Sequence, residues 1–330
     1  MIRVLVTGAA GSVGRALVED LLKNGNKVCA FDNSEDGLFK LREYLKNNGL
    51  AANLKDFLGD IRDLSRLNLA LDGCSEVYHC AALKHVGLCE YNPFEAVKTN
   101  ILATNNIIEG CIKNKISKAI LTSSDKAVNP TSMMGSSKLV AEKLFISGNN
   151  LVGSNQTKFG IVRFGNVWNT NGSVGRIFSD QIRSKNDLTI TDENMTRFFI
   201  EMKEAIDLCK YAMDKLIGGE IFTRNMGATS IGKLAKQFIK DCPEISCKII
   251  GKKNGEKLYE ELFTDLEALR TIKVDNTYIT IPEDFNFGSS LNKEIKEKYI
   301  NYEYCKKPLR SDDPEVEQVN LKDLVAKIQI

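Results

Sequence analysis

The sequence predicts an α/β fold, a doubly wound parallel sheet followed by a smaller C-terminal domain. Three observations carry that expectation. The chain opens as strand, glycine cluster and helix, and short apolar strands then alternate with amphipathic helices up to about residue 165. Past Gly165 the alternation gives way to Gly, Asn and Ser.

The elements follow in order. Residues 2–6 are a β-branched apolar run, and Val13, Ala16, Leu17, Leu21 and Leu22 recur at helical spacing behind the glycines. Residues 27–31 and 53–58 predict strands around a helix at 38–45, and 76–82 predicts a fourth strand. A long helix at 94–112, a strand at 118–122, a helix at 136–145 and a strand at 159–164 complete the repeat. Further on, 203–216 has a helical pattern, and 220–222 reads as a strand able to return to the sheet.

Composition narrows the class. At 330 residues the chain is long enough for two domains. Its 45 Lys+Arg and 43 Asp+Glu are interspersed and nearly cancel, which argues against a nucleic-acid partner. With 43% hydrophobic and 27% charged residues the composition is that of an ordinary globular protein. No apolar run reaches membrane-spanning length and the start lacks a signal-peptide pattern, so a cytoplasmic protein without a membrane partner is expected. Nine scattered cysteines without a CxxC pair read as free, buried thiols. With only His79 and His85, neither a His-rich metal site nor a Ser-His-Asp triad is expected, and the metal prediction is none.

Thr7-Gly8-Ala9-Ala10-Gly11-Ser12-Val13-Gly14 lies between first strand and first helix, the place of a dinucleotide-binding turn. Gly8 allows the tight turn, Gly11 lets backbone N–H groups reach a pyrophosphate, and Gly14 allows close helix packing. Asp32 closes the second strand, where a carboxylate bonds the adenosine ribose and repels a 2′-phosphate, so NAD is expected rather than NADP. Asp60 and Ile61, after the third strand, and Ala81 and Ala82, at the end of the fourth, are further cofactor candidates.

The TGxxGxxG spacing, Gly59-Asp60 and Lys138 resemble the extended short-chain dehydrogenase/reductase family of nucleotide-sugar enzymes, which have Rossmann-type sheets. Ala82-Leu83-Lys84-His85-Val86, Glu90-Tyr91-Asn92-Pro93, Ser124-Asp125-Lys126-Ala127-Val128-Asn129-Pro130-Thr131 and Met195-Thr196-Arg197-Phe198-Phe199 are similar to the UDP-N-acetylglucosamine 4,6-dehydratases of polysaccharide synthesis. The similarity runs to about residue 270. It implies an NAD-binding domain over residues 1–165, rejoined by about 200–225, and a nucleotide-sugar-binding domain over 166–199 and 226–330.

The family's reaction oxidises C4 of the sugar, which makes the C5 proton removable, expels hydroxide from C6 and returns the hydride there. By resemblance Asp125 is the acid, Lys126 the base, and Ser124 bonds the C4 oxygen. Adjacent acid and base at a strand's carboxyl end suit an elimination. A basic lysine must be neutral for part of the cycle, and nearby cations such as Lys138 would lower its pKa.

Most members carry Tyr four residues before the lysine, but here Met134 precedes Lys138. Two readings follow: redox activity is lost, or the chain belongs to a dehydratase branch with methionine here, in which Asp125 takes the C4 hydroxyl proton. The intact Asp125-Lys126 pair favours the second. Resemblance assigns Lys84, His85, Asn166, Thr191, Arg197 and Glu256 to the UDP-sugar, with Arg197 as phosphate clamp. It also implies a homodimer, or a higher homo-oligomer, through the helices starting near Phe94 and Ser136. The alternatives are a non-catalytic NAD sensor and a 4-epimerase or reductase of the same fold.

Overall fold

The computed structural model describes residues 2–152, 157–170, 172–252, 254–283 and 290–328. The first half of the chain forms β1 (Arg3–Thr7), β2 (Lys27–Asp32), β3 (Leu54–Leu58), β4 (Glu76–His79), β5 (Lys118–Ser124) and β6 (Lys158–Phe164). The second half adds β7 (Asn166–Val167), β8 (Leu188–Ile190), β9 (Thr196–Ile200), β10 (Ile221–Arg224), β11 (Gly227–Ser230), β12 (Cys247–Ile249), β13 (Thr271–Val274) and β14 (Thr277–Thr280).

One nine-stranded sheet has the order β3-β2-β1-β4-β5-β6-β10-β14-β13, and β11-β9-β7 and β12-β8 form smaller sheets. From β3 to β10 the strands run parallel, and β14 and β13 pair antiparallel at the edge. This is the Rossmann-type α/β architecture.

Alternation along β1 explains the two helical layers. Val4 and Val6 belong to one apolar cluster with Leu17 and Leu21 of helix Ser12–Lys23 and with Ala205 and Leu208 of helix Met202–Lys215. Leu5 points the other way, to Leu67, Ile107, Ala141 and Phe145 on helices Leu64–Leu71, Ala103–Lys113 and Met133–Ser147. Each such Leu or Val contributes roughly 1.5–3 kcal/mol by leaving water.

The helix expected at 94–112 is interrupted. Val97–Leu102 winds as a π-turn between Pro93–Ala96 and Ala103–Lys113. The wider turn carries the buried Asn100, which accepts from Leu83 N at 2.8 Å and donates to Leu83 O at 3.0 Å and Ser137 Oγ at 2.9 Å. One side chain thus fixes the backbone just before Lys84 and His85.

A third apolar cluster, built on Trp168, Phe178, Leu188, Phe199 and Phe238, supports the smaller sheets and takes in Leu324 and Ile328. The β13–β14 hairpin lies in the stretch 226–330 assigned to the smaller unit, yet it extends the large sheet. Its β-branched strands meet around Asp275, whose φ of 51° suits the tight connection. Arg163 of β6 is buried between Glu142 at 2.6 Å and Glu267 at 3.0 Å and also donates to Leu262 O, tying the segment before the hairpin onto the sheet.

All nine cysteines are free; Cys80, Cys242, Cys247 and Cys305 are half-buried and the rest buried. Among the described residues no helix is long and apolar enough to cross a membrane, and no cluster of His, Cys, Asp and Glu is arranged to hold a metal ion.

Candidate active site

A cavity of about 1020 Å³ opens at the carboxyl ends of β1 and β4, where the strand order reverses. Gly8, Gly11, Ser12, Val13 and Gly14 line one end. Gly8 has φ 66°, and a Cβ on Gly14 would stand 2.1 Å from Gly8 O, so both positions require glycine. The N-cap of helix Ser12–Lys23 is Gly11, which has no capping side chain. The first-turn N–H groups therefore face the cavity as an anion site.

Asp32 also lines the cavity; its carboxylate accepts from Ala10 N and Ser34 N, both at 2.9 Å. Asp60 and Ile61 follow on the same wall, with Asp60 held by Arg62, whose hydrogen bonds keep its carboxyl below the ordinary range. Ala81 and Ala82 line the floor, and Lys84 and His85 stand further along, the His85 ring packed near Gly172.

The catalytic candidates converge after β5. Residues Asp125–Ala127 form one tight helical turn capped by Ser124, whose Oγ accepts from Lys126 N at 3.2 Å. The Ser124 hydroxyl donates to Asp125 Oδ1 at 2.7 Å, and Lys126 Nζ donates to the same oxygen at 3.0 Å. Lys126 reaches Asn166 Oδ1 of β7 at 3.3 Å. Ser124, Lys126, Met134, Lys138 and Asn166 line the cavity. Asp125 does not: it is fully buried, and its Oδ2 has no hydrogen-bond partner.

Lys138 donates to Thr122 O at 2.7 Å, and burial pushes it down to about 8. Lys126 behaves in the opposite way from the expectation of a depressed amine. Burial lowers it, but Asp125 and then Glu260 outweigh that and hold it above its ordinary value. Arg197 is the foremost opposing cation.

Three expected substrate residues stand off the cavity wall: Thr191, Arg197 and Glu256. Arg197 is 6% exposed and donates to the carbonyls of Thr196 at 2.7 Å and Lys257 at 2.9 Å, so its fork holds protein backbone. Thr191 Oγ1 turns to Met195 Sδ at 3.4 Å.

The sequence profile of the family described as "Polysaccharide biosynthesis protein" matches residues 4–282. The chain belongs to that family. Among the relatives of this polysaccharide biosynthesis protein, "Uncharacterized membrane protein MJ1061" of Methanocaldococcus jannaschii is 41% identical over 93% of this chain and 95% of its own. A Campylobacter jejuni "UDP-N-acetylglucosamine 4,6-dehydratase (inverting)" is 36% identical over 84% and 82%. A Rickettsia rickettsii "UDP-glucose 4-epimerase" is 36% identical over 88% and 84%. The solved structure of Pen from Bacillus thuringiensis is 34% identical, with a TM-score of 0.90 over 100% of this chain and 98% of that one. The family member described here is thus an extended short-chain dehydrogenase/reductase of the UDP-N-acetylglucosamine 4,6-dehydratase-like type.

In this family member the structure also shows residues that sequence reasoning missed. Glu260, 2% exposed, lies 3.6 Å from Lys126 Nζ; Glu261 accepts from Asn129 Nδ2 at 2.8 Å; Lys257 donates to Val128 O at 2.8 Å. Adjacent Glu260 and Glu261 inside the apolar run Leu258 to Phe263 were the available signal, since buried carboxylates need cationic partners.

Proposed function

We propose that the protein is an NAD-dependent nucleotide-sugar 4,6-dehydratase that converts UDP-N-acetylglucosamine to the 6-deoxy-4-keto sugar for surface glycan biosynthesis. The observation that carries this reading is the Ser124, Asp125 and Lys126 cluster, with Ser124 and Lys126 on the cavity wall and Asp125 buried beside them, and Met134 where a tyrosine would serve an epimerase. Elimination of water needs an acid and a base side by side, whereas a sensor has no use for the pair.

The glycine cradle, the open helix N-terminus and Asp32 fit a dinucleotide. Backbone N–H groups of the first helical turn at Ser12 and Val13 would hold its pyrophosphate, Asp32 the adenosine ribose and Lys138 the second ribose. NAD bound there would supply the acceptor for hydride from C4 and the donor of hydride to C6.

The residues of the chain manage the protons. Ser124 meets the C4 oxygen and passes its proton to Asp125, which is reached from the cavity through that hydroxyl. Protonation removes the Asp125 charge, the foremost influence holding Lys126 charged. Burial then favours the neutral amine, its proton leaving to the water of the cavity, and the amine takes the proton from C5. Asp125 gives its proton back through the Ser124 hydroxyl to the departing C6 hydroxide, Lys126 returns the C5 proton as C6 is reduced, and the amine then regains from water the proton it released. We also infer a homodimer through the exposed Leu88, Tyr91, Phe94 and Leu102.

The test is mass spectrometry of UDP-N-acetylglucosamine incubated with the purified protein. Loss of one water supports the reading. An unchanged sugar, with NAD added and other nucleotide sugars tried, overturns it in favour of a sensor.

A further inference from the structure

Beside Lys126, and itself off the cavity wall, stands a carboxylate with no part in the proton transfers above. Glu260 Oε1 is 3.6 Å from Lys126 Nζ and 3.8 Å from Arg197 Nε, and Oε2 is 3.2 Å from Lys257 Nζ. None of these is a directed hydrogen bond, and Oε2 is buried without one. Burying a carboxylate is costly unless it is paired. Here the burial is bought by three cations, of which Lys126 reaches the cavity while Arg197 and Lys257 hold backbone carbonyls.

We propose that Glu260 is a positioning residue for Lys126: it aims the ammonium from beside it and sets how readily that group gives up its proton. The inference rests on the dehydratase reading, in which Lys126 is the base at C5. Lys126 is held from several directions: Asp125 on its own turn at 3.0 Å, Asn166 of β7 at 3.3 Å, Glu260 of the segment after Lys257, and the opposing charge of Arg197 on β9. Once Asp125 is protonated, Glu260 is the negative charge that remains beside the lysine. It keeps the side chain from swinging into the cavity and limits how far burial can neutralise it.

The sign follows. A lysine base works as the free amine, so turnover rises with pH through its titration. Removing an anion within about 4 Å lets Lys126 lose its proton more easily, so Glu260→Gln should move the acid limb of kcat to lower pH by about 1 to 3. Glu260→Asp, which keeps the charge, should leave the limb near its wild-type place. Lys257→Met removes the cation that offsets Glu260 and should move the limb the other way.

The experiment is a kcat against pH profile of all four proteins, read as water loss from UDP-N-acetylglucosamine, with KM and thermal unfolding recorded beside it. Opposite displacements in Glu260→Gln and Lys257→Met, with KM little changed, support the proposal. An acid limb that stays in place in both variants overturns it. Should Glu260→Gln not fold, an unmoved limb in Lys257→Met overturns it alone. A wild-type protein that removes no water defeats the dehydratase reading instead, so the two failures are distinguishable.

Discussion

Ser124 donates its hydroxyl to the buried Asp125 carboxylate across 2.7 Å, and of the two only Ser124 touches the cavity. Asp125 therefore communicates with a bound sugar through its neighbours. Ser124→Ala and Asp125→Asn should each reduce turnover about 10²-fold or more. The double variant should be no slower than the worse single one, because both act along one path. Fully multiplicative losses in single-turnover assays would contradict the relay.

Met134 is 4% exposed and packs with Cys89 and Ala96 against the cavity, where it can neither donate nor accept a proton. Met134→Leu keeps volume and polarity. It should cost less than about 1.5 kcal/mol of stability and leave turnover of the same order. Denaturant melts and water-loss assays check both parts.

Asp32 faces the cavity with both oxygens held by backbone N–H groups. Asp32→Ala should weaken NAD binding about tenfold or more and reduce the preference for NAD over NADP, since a repelling charge is lost with the ribose acceptor. Calorimetric titration with each dinucleotide measures the ratio. A ratio unchanged from wild type would remove Asp32 from cofactor choice.

His79 is buried between Thr7 Oγ1 at 2.7 Å and Thr104 Oγ1 at 3.3 Å, and burial, aided by Lys138, pushes it down to about 3. The folded protein binds fewer protons there than the unfolded chain, whose histidine titrates near 6.5. This contribution is complete above the unfolded value and declines as pH falls below it, by about 1.4 kcal/mol per pH unit. Asp60 and Glu267, also depressed, act only lower in pH. Glu76 and Glu220, pushed up by burial, oppose this as pH falls, so the test is a difference: from about pH 7 to 5 the urea midpoint of the wild type should fall relative to that of His79→Gln.

Much of the sheet was legible because its signal is local. The run at residues 2–6, the glycines and the helical spacing behind them all lie within one βα unit, and Ser124 to Lys126 sit at a strand end that hydrophobic patterning alone locates. Three features escaped, two wholly and one in part because their causes are distant in sequence. The π-turn exists to let Asn100 reach Leu83 and Ser137, which no periodicity within 94–112 encodes. Arg197 has the look of a phosphate clamp until the fold brings the carbonyls of Lys257 and Leu258 to its fork. Lys126 reads as a depressed base until the adjacent Asp125 is seen turned onto its ammonium and Glu260, far along the chain, is placed beside it. The β13–β14 hairpin was legible in principle, since β-branched strands flank Asp275, but no local cue says which sheet it joins.

The chain visits the large sheet, leaves for β7 to β9, returns with β10, leaves again for β11 and β12, and returns once more with β13 and β14. During synthesis from the amino end, the glycine loop and the turn at Asp125 emerge as neighbours on a sheet still lacking β10 and its edge hairpin. Asn166 and Glu260, which brace Lys126, leave the ribosome later. The glycine loop is therefore complete before the groups that brace Lys126, while the face of β1 carrying Val4 and Val6 stays uncovered until helix Met202–Lys215 arrives.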